Sequence, residues 1–356
     1  MKVGLVLGAG GVMGGAWMVG GLDALARETG WDPASADYVV GTSAGSLLGA
    51  ATVAGVPPWF LVAFSKGEQF EGVTDADGHP ADEADRTGGA IFTLDRGALP
   101  LVPGSWKLAA RSLVRPRAHT PTQLICGWLP RGVISNEPLR DQVRHVVPSG
   151  WGPHPGLRVI ACDYSTGRRV HFGREDAPPA DLADAVAASC AIPGFYRPVE
   201  IGGRLYVDGG IYSTSNLDSL RTEDLDLVIC LNPTSSLHPP RAWNPFAAGA
   251  QLWRRASGNR LGSESKKVRA AGAEVILIQP TAEDHEAMGV NLMSRARRNE
   301  VIETARRTVA RQLAEHSKRA LLDDLPAGLP EKIDRPPGNP ADWPTLIELT
   351  EAARAG

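Results

Sequence analysis

Cysteine is scarce: four residues in a chain of 356, with no C-x-x-C spacing among Cys126, Cys162, Cys190 and Cys230. That argues against a disulfide scaffold or a thiolate zinc site. Most of these cysteines fall in or beside apolar stretches, so reduced, buried thiols are expected. Long hydrophobic runs are missing too. The nearest to a membrane span, residues 47–64, is broken by Pro57-Pro58, so no segment offers the roughly 18 apolar residues that a spanning helix needs. A net charge of −3 and the lack of any basic run leave no electrostatic footing for nucleic acid. No internal repeat is visible. The opening MKVGLVLGAGG carries one lysine and an apolar run soon cut by glycines, which reads as a first β-strand and not as a signal-peptide core. A cytoplasmic protein is therefore expected, with contact at a membrane surface left open. With 43% hydrophobic and 22% charged residues, the chain has the composition of an ordinary globular protein with a substantial core.

The pattern along the chain alternates strands and helices. Val3 to Leu7 reads as a strand, Gly8 to Gly15 as a turn, and Ala16 to Thr29 as a helix ending at Gly30. A second strand-turn-helix unit covers Tyr38 to Ala54. Residues 66–135 change texture, with acidic, Gly-rich and Pro-rich stretches before aliphatics mixed with arginine, and read as an insertion. LRVIACD (157–163) and RRVHF (168–172) read as paired strands, DLADAVAASCAIP (181–193) as a helix, and PVEIGGRLYVDGG (198–210) as a hairpin. DLVICLN (226–232) and AEVILIQP (273–280) are continuously apolar, as strands covered on both faces are. A long helix is expected over Met293 to Ala320, then a proline-rich tail, 321–356. The sum is an α/β fold with a mostly parallel central sheet.

Three short motifs carry chemistry. Gly41-Thr42-Ser43-Ala44-Gly45 lies between an apolar strand and an Ala/Leu/Gly helix. A sharp strand-to-helix turn needs small flanking residues and presents the central serine at the top of the sheet, as a nucleophile must be presented. Gly8-Ala9-Gly10-Gly11-Val12-Met13-Gly14-Gly15 follows the first strand and opens a helix, so free backbone N–H groups there suit an anion. Asp208-Gly209-Gly210 puts a carboxylate at the end of an apolar strand, before a tight turn.

Glycine loop, G-x-S-x-G and D-G-G in this order resemble the patatin-like phospholipases. The likeness continues through ASCAIPGFYRPVEIGGRLYVDGGIYSTSN (188–216) and covers roughly residues 1–300. The resemblance implies a three-layer α/β/α sandwich, a hydrolase domain over 1–320 with 66–135 as an inserted lid, and fatty-acyl esters of lipids as substrate. It also implies a Ser43–Asp208 dyad, with Ser43 attacking the acyl carbonyl and Asp208 taking its proton. Backbone N–H groups near Gly10, Gly11 and Val12 would hold the oxyanion, and no cofactor or metal is implied. One departure stands out: that family's loop usually carries Arg or Lys before its last glycine, where this chain has Val12-Met13-Gly14. A head-group role for that cation is therefore in doubt here.

Competing readings are weaker. A dinucleotide fingerprint wants an acidic residue ending the second strand, where Val39-Val40-Gly41 stands. A Ser-His-Asp triad needs a histidine after the acid, and His238 and His285 sit in polar settings that suit surface histidines. DADGHPADEAD (75–85) hints at calcium, but its glycine comes too early for an EF-hand loop. Asp163 and Asn216 are open between pocket and turn. Between Gly97 and Arg131 the insertion holds Lys107, Arg111, Arg115, Arg117 and Arg131 without one Asp or Glu. Within it, Trp106, Ala109, Ala110 and Leu113 share a helical face. Either this helix packs over the pocket as a lid, or it lies on an anionic bilayer.

Overall fold

The computed structural model describes residues 1–66, 92–95, 101–116, 120–236 and 245–334. Its centre is an eight-stranded sheet: β1 (Val3–Leu7), β2 (Tyr38–Thr42), β3 (Leu157–Asp163), β4 (Arg169–Phe172), β5 (Val199–Ile201), β6 (Arg204–Asp208), β7 (Leu227–Leu231) and β8 (Glu274–Ile278). Strands β3, β2, β1, β7 and β8 run parallel, and β4, β5 and β6 join antiparallel. Both faces are covered, so the strands read as unbroken apolar runs. On one face Leu5, Leu7, Val39, Val159 and Ile229 pack beneath α1 (Gly11–Thr29), α2 (Ala44–Val53) and α3 (Pro58–Lys66). On the other, Val6, Val40, Ile160 and Val228 meet Leu217, Leu261 and Val268. The result is the α/β/α sandwich.

The register around β3 decides which strand ends meet. Val159 to Cys162 pair with β4, which occupies one edge of β3. Strand β2 pairs with β3 up to Thr42 opposite Ile160, and β6 pairs from Asp208 opposite Ala161. Both β2 and β6 must therefore share the other edge, running head to head. Their C-terminal ends meet one register step apart, about 3.3 Å along β3.

Several elements differ from the sequence expectation. Helix α1 starts at Gly11, so much of the supposed glycine turn is its first turn. The insertion contains α4 (Trp106–Val114) and α5 (Pro121–Cys126), and α4 buries Leu108, Ala109 and Ser112. Trp106 and Leu113, which the lid reading would have packed against protein, are each 69% exposed. The cause is Ser105, whose hydroxyl caps α4 and donates to the carbonyl of Tyr164, turning Leu108 toward Cys126 and Tyr164. After α6 (Glu137–Val146) and α7 (Leu182–Ser189) comes a helix that periodicity does not reveal, α8 (Pro245–Ala270). Its Gly, Ser and Asn content depresses helix propensity, and packing on the sheet overrides it.

The helix expected from Met293 is α10 (Arg298–Ala314), preceded by α9 (Ala282–Met288). Asn291 and Ser294 accept backbone N–H groups two residues on, which favours turns over helix. The Leu292 carbonyl is also taken by the N–H of Met13. Beyond it, α11 (Arg319–Asp323) and α12 (Pro330–Ile333) pack on the body, burying Leu322, Leu325 and Ile333. The start of the expected tail is thus structured. The acidic loop 75–85, His238, Arg117 and the chain after Asp334 lie outside the described residues. The four cysteines are free and buried. No helix among the described residues is long and apolar enough to cross a membrane.

Candidate active site

Ser43 sits at the joint of β2 and α2 with φ 55° and ψ −126°, a left-handed conformation that a non-glycine residue adopts only at a cost of about 1–3 kcal/mol. Its neighbours explain how this is held. A Cβ on Gly45 would lie 2.1 Å from the Leu7 carbonyl oxygen, and one on Gly41 would lie 2.4 Å from the Ser46 Cα. The glycines let α2 cross the end of β1 and fold back on its own strand. The Ser43 N–H donates to Ser189 Oγ at 2.8 Å, and that hydroxyl donates onward to the Ile160 carbonyl at 2.6 Å. Ser46 Oγ donates to the Ser43 carbonyl at 2.7 Å.

Asp208, 5% exposed, ends β6 where the two strand ends meet. Its backbone N–H donates to the Ala191 carbonyl, and its Oδ1 accepts the Gly210 N–H at 2.6 Å. Burial pushes its pKa up to about 6, although hydrogen bonds from Gly210 and from the Ser43 side chain pull it down. A carboxylate tuned this way is a competent base near neutrality. The structure thus brings Ser43 and Asp208 together from distant parts of the chain.

The glycine loop lines the same place. Gly11 has φ +59°, and a side chain there would run into Met293 and Leu292. The N–H of Met13 goes to the Leu292 carbonyl and that of Gly14 to the Gly10 carbonyl. Among the described residues nothing accepts the N–H groups of Gly10, Gly11 and Val12, which open α1. Orphan donors at a helix N-terminus are what an oxyanion needs. Ser43, Gly11 and Val12 line one cavity of about 130 Å³, walled by Ala16, Val19, Leu47, Leu48, Ile192 and Tyr196. A second apolar cavity of about 110 Å³ shares Leu47 and Leu48 with it. A basic residue does reach the first cavity: Arg298, the first residue of α10, contributes to its lining. Of the described part of the insertion only Phe92 reaches this cavity; α4 and α5 stand elsewhere.

Residues 213–217, just past the D-G-G turn, form a support that sequence reasoning missed. The Thr214 carbonyl accepts the Ala9 N–H at 2.7 Å, bracing the glycine loop. Asn216, in left-handed conformation at φ 51°, donates from Nδ2 to Thr42 Oγ1 at 3.1 Å, bracing the serine turn. Of the two readings left open for it, the turn holds: Asn216 does not line the Ser43 cavity. Asp163 is a turn residue, accepting from the N–H groups of Ser165 and Thr166.

Glu264, fully buried on α8, holds this segment: Oε2 accepts the Ser215 hydroxyl at 2.6 Å and the Leu217 N–H at 3.0 Å, while Oε1 accepts Arg260 Nε at 2.8 Å. No sequence signal could have linked Glu264 to a loop some fifty residues earlier. Glu264→Ala strands two buried donors and leaves the half-buried Arg260 without its acceptor, so it should cost about 2–4 kcal/mol in denaturant unfolding. Below its melting temperature it should also slow active-site labelling at Ser43 at least about tenfold through misplacement. Glu264→Gln, which keeps size and one acceptor, should recover most of the labelling rate.

His285 is not the surface histidine expected. It is 3% exposed on α9, and burial pushes its pKa down to about 3. No described histidine lines the Ser43 cavity. Among the described residues no group of three or more His, Cys, Asp or Glu could hold a metal ion.

Comparison with known proteins adds to this geometry. The sequence pattern described as patatin-like phospholipase matches residues 5–221. Uncharacterized NTE family proteins of Mycobacterium bovis and Mycobacterium tuberculosis are 33% identical over 107 residues, which is 30% of this chain and 28% of theirs. The match thus spans under a third of the length of those relatives. The crystal structure of VipD from Legionella pneumophila aligns over 99% of this chain and 74% of its own, with a TM-score of 0.42 and 14% identity.

Proposed function

The chain belongs to the patatin-like phospholipase family, and from that premise we propose that it is a serine acyl hydrolase working through a Ser43–Asp208 dyad on fatty-acyl esters of lipids. The observation that carries this reading is the meeting of β2 and β6 on one edge of β3, which sets a strained serine against a buried carboxylate. Ser43 Oγ attacks the ester carbonyl carbon while Asp208 takes its proton. The carbonyl oxygen, now an oxyanion, is held by the N–H groups of Gly10, Gly11 and Val12, each worth about 3 kcal/mol if fully engaged. The tetrahedral adduct then breaks its bond to the alcohol, which leaves with the proton from Asp208. Water, deprotonated by the same carboxylate, attacks the acyl carbon; the bond to Ser43 Oγ breaks, the fatty acid leaves, and the proton on Asp208 returns to Ser43.

The apolar cavity walls favour an acyl chain over a charged acid. Hydrolysis of p-nitrophenyl esters of increasing chain length, followed by phospholipids, tests the substrate class. Turnover confined to acetate would exclude a lipid hydrolase. The dyad reading has a further consequence for histidine. His285→Gln should retain turnover within about threefold of the parent; a loss near the general-base range of about a hundredfold or more in a folded protein would restore the triad.

A further inference from the structure

An opening larger than the Ser43 cavity lies away from it. It is a groove of about 770 Å³ between α4, the β3–β4 turn and the start of β6, and its lining includes Lys107, Arg111, Arg131 and Arg204 but no carboxylate. Two of these cations are steered by backbone: Arg111 donates to the Ser165 carbonyl at 3.2 Å and Arg131 to the Gly104 carbonyl at 3.1 Å, each with further N–H groups to offer. Arg204 shares Asp163 at 3.3 Å with its side chain 69% exposed. Among the described residues Lys107, Arg111 and Arg131 pair with no carboxylate. Four cations beside one committed acid, in a chain of net charge −3, are a local reversal of sign.

The rim of the groove is apolar. Leu101 and Trp106 line it, and along α4, α5 and the turn that follows α5, Leu113, Val114, Ile125 and Trp128 stand exposed. Half of the large hydrophobic side chains exposed among the described residues fall between Leu101 and Trp128. A soluble anion would use the cations and ignore the apolar rim. An anionic bilayer uses both, since phosphates lie at the level of the cations and acyl chains lie below. Exposed tryptophan suits the boundary between them.

We propose that this groove binds the phosphate of an anionic phospholipid and docks the protein, through α4 and α5, on the membrane that carries its substrate. The proposal rests on the lipid hydrolase reading for its purpose, but not for its test. The full chain is sedimented with vesicles of phosphatidylcholine alone and with vesicles containing phosphatidylglycerol. Binding is expected only to the second, weakening as salt rises. The double substitution Lys107→Glu and Arg204→Glu should weaken that binding at least about tenfold, since each reversal turns an attraction to the anionic surface into a repulsion. Neither residue lines the Ser43 cavity, so turnover of a short, monomeric p-nitrophenyl ester should be unchanged in the variant. Parent protein that ignores phosphatidylglycerol vesicles overturns the proposal, and so does a variant that binds them as well as the parent. Thermal stabilisation by inorganic phosphate without vesicle binding would make the groove a site for soluble anions and overturn membrane docking. Failure of the hydrolase reading shows separately, as absent turnover of the short ester by the parent.

Discussion

Ser43→Ala should lower ester turnover by at least about a thousandfold and abolish labelling by a fluorophosphonate, with the fold unchanged. The expectation rests on the nucleophile being the one group that nothing else in the cavity replaces; in enzymes of this logic, losing the nucleophile costs as much as losing the whole catalytic set. A companion variant separates chemistry from strain. Alanine keeps a Cβ at φ 55°, whereas glycine populates that region freely. Ser43→Gly should therefore be equally inactive but more stable than Ser43→Ala, by about 1 kcal/mol in denaturant unfolding. Such a pair would show that backbone strain is maintained for the serine's sake. Labelling retained in Ser43→Ala would remove Ser43 from the mechanism, and equal stability of the two variants would remove the strain.

Asp208→Asn should be nearly as inactive, because an amide cannot take the serine proton. Its stability should move the other way. Burial raises the Asp208 pKa from 3.8 to about 6 in the folded protein, so between those values the native state holds a proton that the unfolded chain has lost. Stability contributed by this site is thus full below about pH 4 and falls as pH rises through 6. A shift of about two units corresponds to about 3 kcal/mol. Asparagine mimics the protonated carboxyl and does not titrate. Relative to the parent, the variant should gain stability as pH rises from 4 to 8, by up to that amount. Parent turnover should rise over the same interval, as Asp208 ionises, with an apparent pKa near 6 in kcat/KM. A variant whose stability tracks the parent at every pH would mean that Asp208 is not buried as a charge. A rate profile flat from pH 5 to 8 would assign the base elsewhere.

How much of this was legible beforehand depended on whether the determinant was local. Periodicity and apolar runs sufficed for the alternation of strands and helices, because a strand buried on both faces leaves an unbroken apolar run such as Val3–Leu7 or Leu227–Leu231. Gly41 and Gly45 announced the serine turn because a close backbone approach tolerates no other residue, and the glycines before α1 announced free N–H groups for the same kind of reason. Helix limits were read less well. Caps and turns at Ser105, Asn291 and Ser294 compete with helix through single hydrogen bonds, and long-range partners such as the Tyr164 carbonyl and the Met13 N–H decide the outcome.

The tertiary structure alone decided what stands next to what. That Asp208 faces Ser43 follows from β2 and β6 sharing one edge of β3, a choice no residue in either strand encodes by itself. Glu264 and Asn216 became supports of the site only when α8 packed behind the 213–217 segment, and the polar texture of α8 hid even the helix. Trp106 and Leu113 were legible as one helical stripe, but which side of α4 is buried was not, since amphipathic spacing marks a face without saying whether protein or lipid will cover it. Residue chemistry and local backbone geometry are written along the chain. The pairing of strand edges and the covering of faces depend on the burial free energy of the whole fold, and only the folded chain settles them.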